Sequence, residues 1–314
     1  MSASADAGIA GASDGAGASG GAVRADVAVI GMGRMGSAMA ERLAATGLTV
    51  TVANRTRVRA EEVAVRCGAT VAASARQAAA SAPVVVVSLA DDRAVDEAYA
   101  GPDGIAAGVH GSTVIADTST VDPRTALRAR DRVMAAGGGF LDAPVSGSVP
   151  SVVRGELAIL VGGDAETLER ARPVLERLAT RIFHIGPAGC GAVMKLAVNG
   201  VVHALNLALS EALVLAESAG IDRDRAYDAI AASAGGAPYV AYKRGAFLDP
   251  SGTPVAFTLD LVAKDLDLVL ELARRYTAPM AQGAANRAAV AAAIDAGFGA
   301  ADISAMAVYL RSGS

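Results

Sequence analysis

The chain has 314 residues, of which 53% are hydrophobic, and it carries a net charge of −4 with a pI near 5.5. This length predicts two domains, and the mild negative charge argues against binding to nucleic acid or to an anionic membrane surface. Cys67 and Cys190 lack the spacing of a disulfide framework or a metal site. We therefore expect no metal, a reducing cytoplasmic environment and a small-molecule partner.

The N-terminal segment differs in composition from the rest. Residues 1–22 are almost entirely Ala, Gly, Ser and Asp, which bury too little apolar surface to offset chain entropy, so we predict a disordered tail. The segment also lacks the basic and apolar regions of a secretion signal. No later stretch offers about 20 uninterrupted apolar residues, so we expect no membrane span.

A glycine-rich turn follows the first predicted strand. Residues 26–36 read Asp-Val-Ala-Val-Ile-Gly-Met-Gly-Arg-Met-Gly. Gly31 permits the tight turn, Gly33 lets the backbone approach a pyrophosphate, and Gly36 lets the next helix pack closely on the strand. This context predicts a dinucleotide cofactor, bound by the three glycines together with Met32, Arg34 and Met35.

Strands and helices alternate through the next 150 residues. Apolar runs predict strands at 49–53, 69–71, 84–89, 114–117, 139–142, 157–162 and 181–185, and helical patterns occur at 37–46, 124–136 and 165–178. The alternation predicts an α/β fold with a Rossmann-type, doubly wound parallel sheet over residues 23–187. From residue 188 to 314 we predict an all-helical domain for substrate binding and oligomerisation, which opens with a long helix at 193–219.

The end of the second strand indicates which dinucleotide is bound. An acidic residue there would bind an adenosine ribose and repel a 2′-phosphate, but the chain has Asn54-Arg55-Thr56. Arg55 can stack on adenine and pair with a phosphate, and the Thr56 hydroxyl adds a donor, so NADP is favoured over NAD. The alternative is a solvated basic loop. Leu89 and Ala90, at the end of the fourth strand, are expected to cover the cofactor with backbone groups.

Lys195 and Asn199 lie four residues apart in the long helix, so they project from one face. A desolvated lysine has a lowered pKa and can exchange a proton with the oxygen of a substrate whose carbon gains or loses a hydride. A solvated helix edge is the alternative interpretation. The apolar residues on either side favour burial of Lys195.

Five separated stretches resemble the β-hydroxyacid dehydrogenase family, which includes 3-hydroxyisobutyrate dehydrogenase and the glyoxylate/succinic semialdehyde reductases. The similarity spans about residues 25–310. The stretches are the nucleotide turn, Asp-Thr-Ser-Thr-Val-Asp-Pro at 117–123, Asp-Ala-Pro-Val-Ser-Gly at 142–147, Lys-Leu-Ala-Val-Asn at 195–199, and Lys-Asp-Leu at 264–266.

The resemblance implies roles for individual residues. Lys195 would be the general acid/base, Asn199 would orient the substrate, and Ser146 and Gly147 would bind its carboxylate. Three further positions would line the site: Thr120 beside the nicotinamide, and Phe257 and Asp265 in the substrate pocket. Lys264 would reach the cofactor. This chain departs from the family pattern at Ser148, where a glycine is usual, and in the bulkier segment 149–154, which ends in Arg154; we expect a surface role for Arg154.

The resemblance favours an NADP-dependent oxidoreductase acting on a small β-hydroxy acid or semialdehyde. The long helix and the apolar helical domain offer more surface than one chain easily buries, which predicts a homodimer or homotetramer. An imine reductase is one alternative, although such enzymes usually carry another residue type in place of Lys195. A non-catalytic NADP-binding module is the other.

Of the three histidines, His203 alone lies on the same side of the long helix as Lys195. We interpret His203 as a core histidine bonded to its neighbours. We interpret Cys190, which precedes the helix, as inert.

Overall fold

The computed structural model describes residues 25–313, so the predicted tail at residues 1–22 lies outside the described part. The strands are β1 (Val27–Ile30), β2 (Val50–Ala53), β3 (Thr70–Val71), β4 (Val84–Val87), β5 (Val114–Asp117), β6 (Gly139–Asp142), β7 (Val145–Ser146), β8 (Leu157–Gly163) and β9 (Ala179–Gly186). The helices among them are α1 (Arg34–Ala45), α2 (Arg57–Cys67), α3 (Ala75–Ser81), α4 (Asp92–Tyr99), α5 (Ile105–Gly108), α6 (Pro123–Ala135), α7 (Val149–Arg154) and α8 (Ala165–Leu175).

The nine strands form one sheet in the order β3-β2-β1-β4-β5-β6-β8-β7, with β9 paired to β8. All pairings among β1 to β6 are parallel, which confirms the predicted doubly wound sheet. Two pairings differ, because β8 runs antiparallel to β6 and to β7. The sequence did not predict β7, which is two residues long and too short to show a hydrophobic period.

Alternate residues of the central strands point to opposite faces of the sheet. In β1, Val27 and Val29 belong to one buried cluster, and Ala28 and Ile30 to another. Both faces are therefore covered by helices, as is usual for parallel strands. The two faces of the sheet are therefore closed to a ligand. In folds of this kind a ligand binds outside the carboxyl ends of the strands.

After β9 the described chain is helical, apart from one isolated bridge between Thr258 and Asp302. Its helices are α9 (Cys190–Ser218), α10 (Arg223–Ala232), α11 (Pro238–Leu248), α12 (Leu259–Arg275), α13 (Ala281–Ala293), which continues into a π-helical turn (Ile294–Phe298), and α14 (Ala305–Ser312). The long helix α9 begins three residues earlier than predicted. Asp142 of β6 accepts hydrogen bonds from Gly189 N and Ala192 N, each at 2.8 Å, and so fixes its first turn.

By length and composition alone, α9 is long and apolar enough to cross a membrane, whereas we had expected no such segment. The polar residues Lys195 and Asn199 interrupt the apolar run, but the mean hydropathy of the helix remains in the range of a membrane-spanning helix. In the structure α9 packs against β8, α12 and α14, and residues such as Leu196 and Leu213 are buried in hydrophobic clusters. These contacts bury part of the helix, and 39% of its most apolar window lies inside the protein.

Candidate active site

A cavity of about 440 Å³ lies between the carboxyl ends of the strands and the helices α9, α11 and α12. Most of the predicted site residues line it: Gly33, Arg34, Met35, Leu89, Ala90, Thr120, Ser146, Gly147, Lys195, Asn199, Phe257, Lys264 and Asp265. The others do not, namely Gly31, Met32, Gly36, Asn54, Arg55 and Thr56. The first three of those belong to the turn itself, and the last three follow β2.

The glycine turn has the close approaches that its sequence predicts. A Cβ added at Gly31, where φ is +99°, would lie 2.2 Å from Ser88 O, and one at Gly36 would lie 1.9 Å from Gly31 O. At Gly33, by contrast, an added Cβ would have no atom within 4 Å. The backbone at the start of α1 is thus open to the cavity, and an anion there would meet the unpaired amides of the helix N-terminus. This cradle fits the phosphates of a dinucleotide.

Asn54 braces the turn from inside the protein. Its Oδ1 accepts a hydrogen bond from Met32 N, and its Nδ2 donates to Thr56 O, both at 2.9 Å. These two hydrogen bonds fix the turn and leave one N–H and one lone pair of the Asn54 amide unused. Arg55 is 85% exposed and pairs with Glu97 at 3.3 Å. Such surface pairs are weak, so the guanidinium is available to an incoming phosphate.

Lys264 connects α12 to the loops that follow two strands. Its Nζ donates to Thr120 O at 2.8 Å and to Ala90 O at 3.3 Å, and it lies 3.0 Å from Asp265 Oδ1. Arg34 makes a second connection, from its Nη1 to Val255 O. The walls of the cavity are therefore joined by cationic side chains across the cleft.

Lys195 is half-buried on α9 and lines the cavity, and its Nζ has no hydrogen bond or ion pair within residues 25–313. Burial lowers the pKa of Lys195 from 10.5 to about 8, the carboxylate of Asp265 opposes that change, and the charge of Lys264 adds to it. A lysine with this pKa interconverts between ammonium and amine near neutral pH. The arrangement can hold or release a proton at Nζ.

Asp265 organises the cavity side of α9. Its Oδ2 accepts a hydrogen bond from Asn199 Nδ2 at 2.6 Å and lies 3.7 Å from His203 Nε2. Burial raises the pKa of the Asp265 carboxyl, but the neighbouring His203 and Lys264 outweigh that effect and hold it below its usual value. Asp265 is therefore ionised at neutral pH, and it orients the amide of Asn199.

Ser146 and Gly147 lie where β7 turns into α7. Gly147 has φ of +138°, and an added Cβ would lie 2.7 Å from Leu157 Cδ2, so the position requires glycine. Ser148, the departure from the family pattern, is the N-cap of α7, and its N donates to Ser151 Oγ at 3.3 Å. Arg154 is exposed and pairs with Glu156 at 2.6 Å.

Several residues of the site were not predicted from the sequence. Lys243 of α11 forms a buried ion pair with Asp302 at 2.7 Å, and Asp302 Oδ2 accepts hydrogen bonds from Ala256 N and Phe257 N. This pair holds Phe257 at the cavity wall. A sequence signal was available: lysine occurs three times in the whole chain, and all three lysines line the cavity.

His203 was interpreted as a core histidine bonded to its neighbours, and that interpretation was only half right. The side chain is 3% exposed, but neither ring nitrogen has a hydrogen-bond partner within the described residues. It lines the cavity. In the described part of the chain, no group of three or more His, Cys, Asp or Glu residues could hold a metal ion.

Comparisons with known proteins agree over both parts of the chain. Residues 26–186 match the family "NAD binding domain of 6-phosphogluconate dehydrogenase", and residues 189–310 match "NAD-binding of NADP-dependent 3-hydroxyisobutyrate dehydrogenase". NAD-dependent L-serine dehydrogenase of Pseudomonas aeruginosa is 34% identical, over 79% of this chain and 85% of that protein. Glyoxylate/succinic semialdehyde reductase 1 of Arabidopsis thaliana is also 34% identical, over 90% of this chain and 96% of that protein. Among solved structures, Mycobacterium tuberculosis 3-hydroxyisobutyrate dehydrogenase with L-serine is 31% identical, with a TM-score of 0.79 over 92% of this chain and 99% of that one.

Proposed function

The chain belongs to the β-hydroxyacid dehydrogenase family of NAD(P)-dependent oxidoreductases, and from this we propose that it interconverts a small β-hydroxy acid and its semialdehyde or oxo acid, with NADP as the favoured cofactor. One observation carries the proposal: Lys195, with its pKa lowered to about 8, faces the same cavity as the glycine turn. Lys195 is the proposed general acid/base.

When bound, the nicotinamide supplies or accepts a hydride. In the reductive direction the ammonium of Lys195 gives its proton to the substrate oxygen, and in the oxidative direction the neutral amine takes that proton from the hydroxyl. Asn199, one turn further along α9, orients the substrate. Ser146 and the backbone of Gly147 bind the carboxylate, and Thr120 lies beside the reacting groups. Lys264 holds the loops after β4 and β5 against α12.

The preference for NADP rests on the residues after β2. No acidic residue directly follows β2, Arg55 and Thr56 are exposed donors, and the nearby carboxylate of Glu97 is paired with Arg55. The names of similar proteins divide on this point, since one relative is named NAD-dependent and one family description is NADP-dependent. The cofactor preference is therefore argued from this chain's own residues.

Replacement of Lys195 by methionine tests the catalytic role, because methionine keeps most of the side-chain volume and removes the amine. We expect Lys195→Met to lower kcat by about a hundredfold to ten-thousandfold, which is the contribution of general acid–base catalysis. NADPH should bind almost as tightly as in the unmodified protein. Glu211→Ala, at an exposed position of the same helix, is the matched control. Substantial retained turnover in Lys195→Met would refute the proposed role.

A screen of substrates separates this function from its two alternatives. NADPH oxidation with small aldehyde acids but not with cyclic imines is the expected result. Turnover of the imines alone would indicate an imine reductase, and NADPH binding without any turnover would indicate a non-catalytic module. The presence of Lys195 in the cavity supports the first outcome.

We also propose a homodimer or homotetramer in the cytoplasm. Support for assembly comes from Met194, Val201 and Leu215, which are exposed apolar residues along α9. Support for a reducing compartment comes from Cys67 and Cys190, which are both free thiols. Light scattering that shows a monomer at micromolar concentration would contradict the proposed assembly.

A further inference from the structure

Arg34 joins the glycine turn to the helical part of the chain. It is the first residue of α1, its side chain is exposed, and its Nη1 donates to Val255 O, 221 residues away in the sequence. Among residues 25–313, no other residue of the turn at 31–36 makes a hydrogen bond to the helices that follow β9, and the Arg34 guanidinium pairs with no carboxylate. This one side chain therefore links the cofactor cradle directly to the helical part of the cavity wall.

The segment that Arg34 contacts, residues 255–258, immediately precedes α12. Ala256 N and Phe257 N donate to Asp302 Oδ2 at 2.9 and 3.2 Å, and Asp302 belongs to the buried ion pair described above. The 255–258 segment is thus fastened at one point to a buried carboxylate and at another to an exposed arginine. Phe257, which lines the cavity, lies two residues from the carbonyl that the arginine holds. Of these contacts, the one made by Arg34 is accessible to a bound cofactor.

The guanidinium of Arg34 has donors to spare. It carries five N–H groups in a planar fork, and Val255 O accepts from one of its nitrogens, whereas a phosphate is bound well by two parallel N–H groups. The backbone N–H of Arg34 is also one of the unpaired amides at the start of α1, where the turn fits the phosphates of a dinucleotide. The side chain can therefore hold a phosphate and the 255–258 segment at the same time.

We propose that Arg34 is a positioning residue that couples the two halves of the site. The pyrophosphate of the bound dinucleotide fixes the guanidinium, the guanidinium fixes the 255–258 segment, and Phe257 is thereby held in the position that binds substrate. Coupling between two binding sites is reciprocal, so substrate strengthens the binding of cofactor by the same factor. The substrate half of this inference rests on the proposed function, whereas the cofactor half requires only the dinucleotide turn.

A fragment of the cofactor separates this coupling from direct contact between cofactor and substrate. 2′-Phospho-ADP-ribose carries the pyrophosphate but has no nicotinamide, and 2′-AMP lacks the pyrophosphate as well. The chain has five phenylalanines, so ¹⁹F NMR of protein labelled with 4-fluorophenylalanine follows each ring, and the spectrum of Phe257→Leu identifies the signal of Phe257. We expect saturating 2′-phospho-ADP-ribose to shift that signal and 2′-AMP to leave it in place.

Variants of Arg34 connect the shift to the side chain. In Arg34→Met the Phe257 signal should no longer respond, even when calorimetry shows that 2′-phospho-ADP-ribose is saturating. Arg34→Lys keeps a charge for the phosphate but has no planar fork, so it should bind the fragment more tightly than Arg34→Met and still lose most of the response. Arg181→Met, at an exposed arginine of β9 that does not line the cavity, is the matched control and should respond like the unmodified protein.

The same fragment should strengthen the binding of substrate. We expect saturating 2′-phospho-ADP-ribose to lower the dissociation constant of 3-hydroxyisobutyrate, measured by calorimetry, by about fivefold, which is the lower end of typical coupling between sites. In Arg34→Met the ratio of the dissociation constants without and with the fragment should be about one. The fragment cannot transfer a hydride, so this ratio is independent of turnover.

Two results would overturn the inference: a Phe257 signal that does not respond to 2′-phospho-ADP-ribose in the unmodified protein, or an equal response in Arg34→Met. Failure of the proposed function gives a different result. If no β-hydroxy acid binds or is turned over while the Phe257 signal responds through Arg34, the proposed function is refuted and the coupling of the cofactor to the 255–258 segment is supported. Turnover of a β-hydroxy acid with an equal response in Arg34→Met would support the function and refute the coupling.

Discussion

Lys195 should control the pH dependence of turnover in both directions. Oxidation of a hydroxyl requires the neutral amine, so kcat/KM for oxidation should rise with pH and level off above about 8, the pKa of this lysine. Reduction requires the ammonium, so kcat/KM for reduction should be constant at low pH and fall above about 8. Each profile should reach half of its maximum near the same pH, about 8.

The size of the effect follows from the lowered pKa. At pH 7 a lysine with a pKa of 10.5 is about 0.03% neutral, whereas one with a pKa of about 8 is about 10% neutral. Burial of Lys195 therefore supplies roughly 300 times more of the base form at that pH. An exposed lysine in the same position would give an oxidation rate that still rises at pH 10.

Removing the charge of either neighbour of Lys195 should shift the pKa of Lys195, in opposite directions for the two neighbours. Asp265 raises its pKa and Lys264 lowers it, so Asp265→Asn should move the titration below about 8, and Lys264→Met should move it above. Because the chain has three lysines, NMR of protein labelled with ¹⁵N at the lysine side chains follows each ammonium directly. The spectrum of Lys195→Met identifies the signal of Lys195. A titration near 10.5, or shifts of the same sign in both variants, would refute the reasoning.

Other consequences can be measured on single variants. Arg55→Asp should raise the KM for NADPH by at least about tenfold and the KM for NADH far less. Arg130→Asp, far from the cofactor site, is the control. Equal effects of Arg55→Asp on both cofactors would remove the basis for an NADP preference. Asp142→Ala should lower the melting temperature and reduce the free energy of unfolding by about 2 kcal/mol, because two amides of α9 lose a charged acceptor. Asp131→Ala, at an exposed aspartate, is the control, and an equal melting temperature in the two variants would contradict this prediction. Gly36→Ala should weaken NADPH binding more than tenfold in calorimetry, since its methyl would lie 1.9 Å from a carbonyl oxygen of the turn. Unchanged affinity would show that the turn relaxes freely.

The strands of the sheet were predictable because they are buried on both faces and so appear as continuous apolar runs. Their ends were less predictable. The run at 84–89 predicts a strand of six residues, but β4 ends at Val87, since Leu89 N turns aside to donate to Ser119 Oγ. The short strand β7 carried no periodic signal, although it positions Ser146.

Within the site, local spacing was informative and distant pairing was not. The separation of Lys195 and Asn199 by four residues predicted a shared face, and both line the cavity. The partners of Asp265 and Lys243 lie 66 and 59 residues away in the chain, so no local pattern indicates them. For the same reason His203 could not be distinguished from an ordinary core histidine until Asp265 and Phe257 were placed beside it.

The anchoring of α9 by Asp142 has a consequence for redesign of this enzyme. The amine proposed to transfer the proton is carried on a helix whose first turn is fastened to the rigid sheet, while Phe257 and the tyrosines of α11 line the cavity from elements outside α9. Libraries that vary those residues can therefore change which molecules enter while the anchor of α9 stays intact. New selectivity can be sought there while the proton-transfer chemistry is kept.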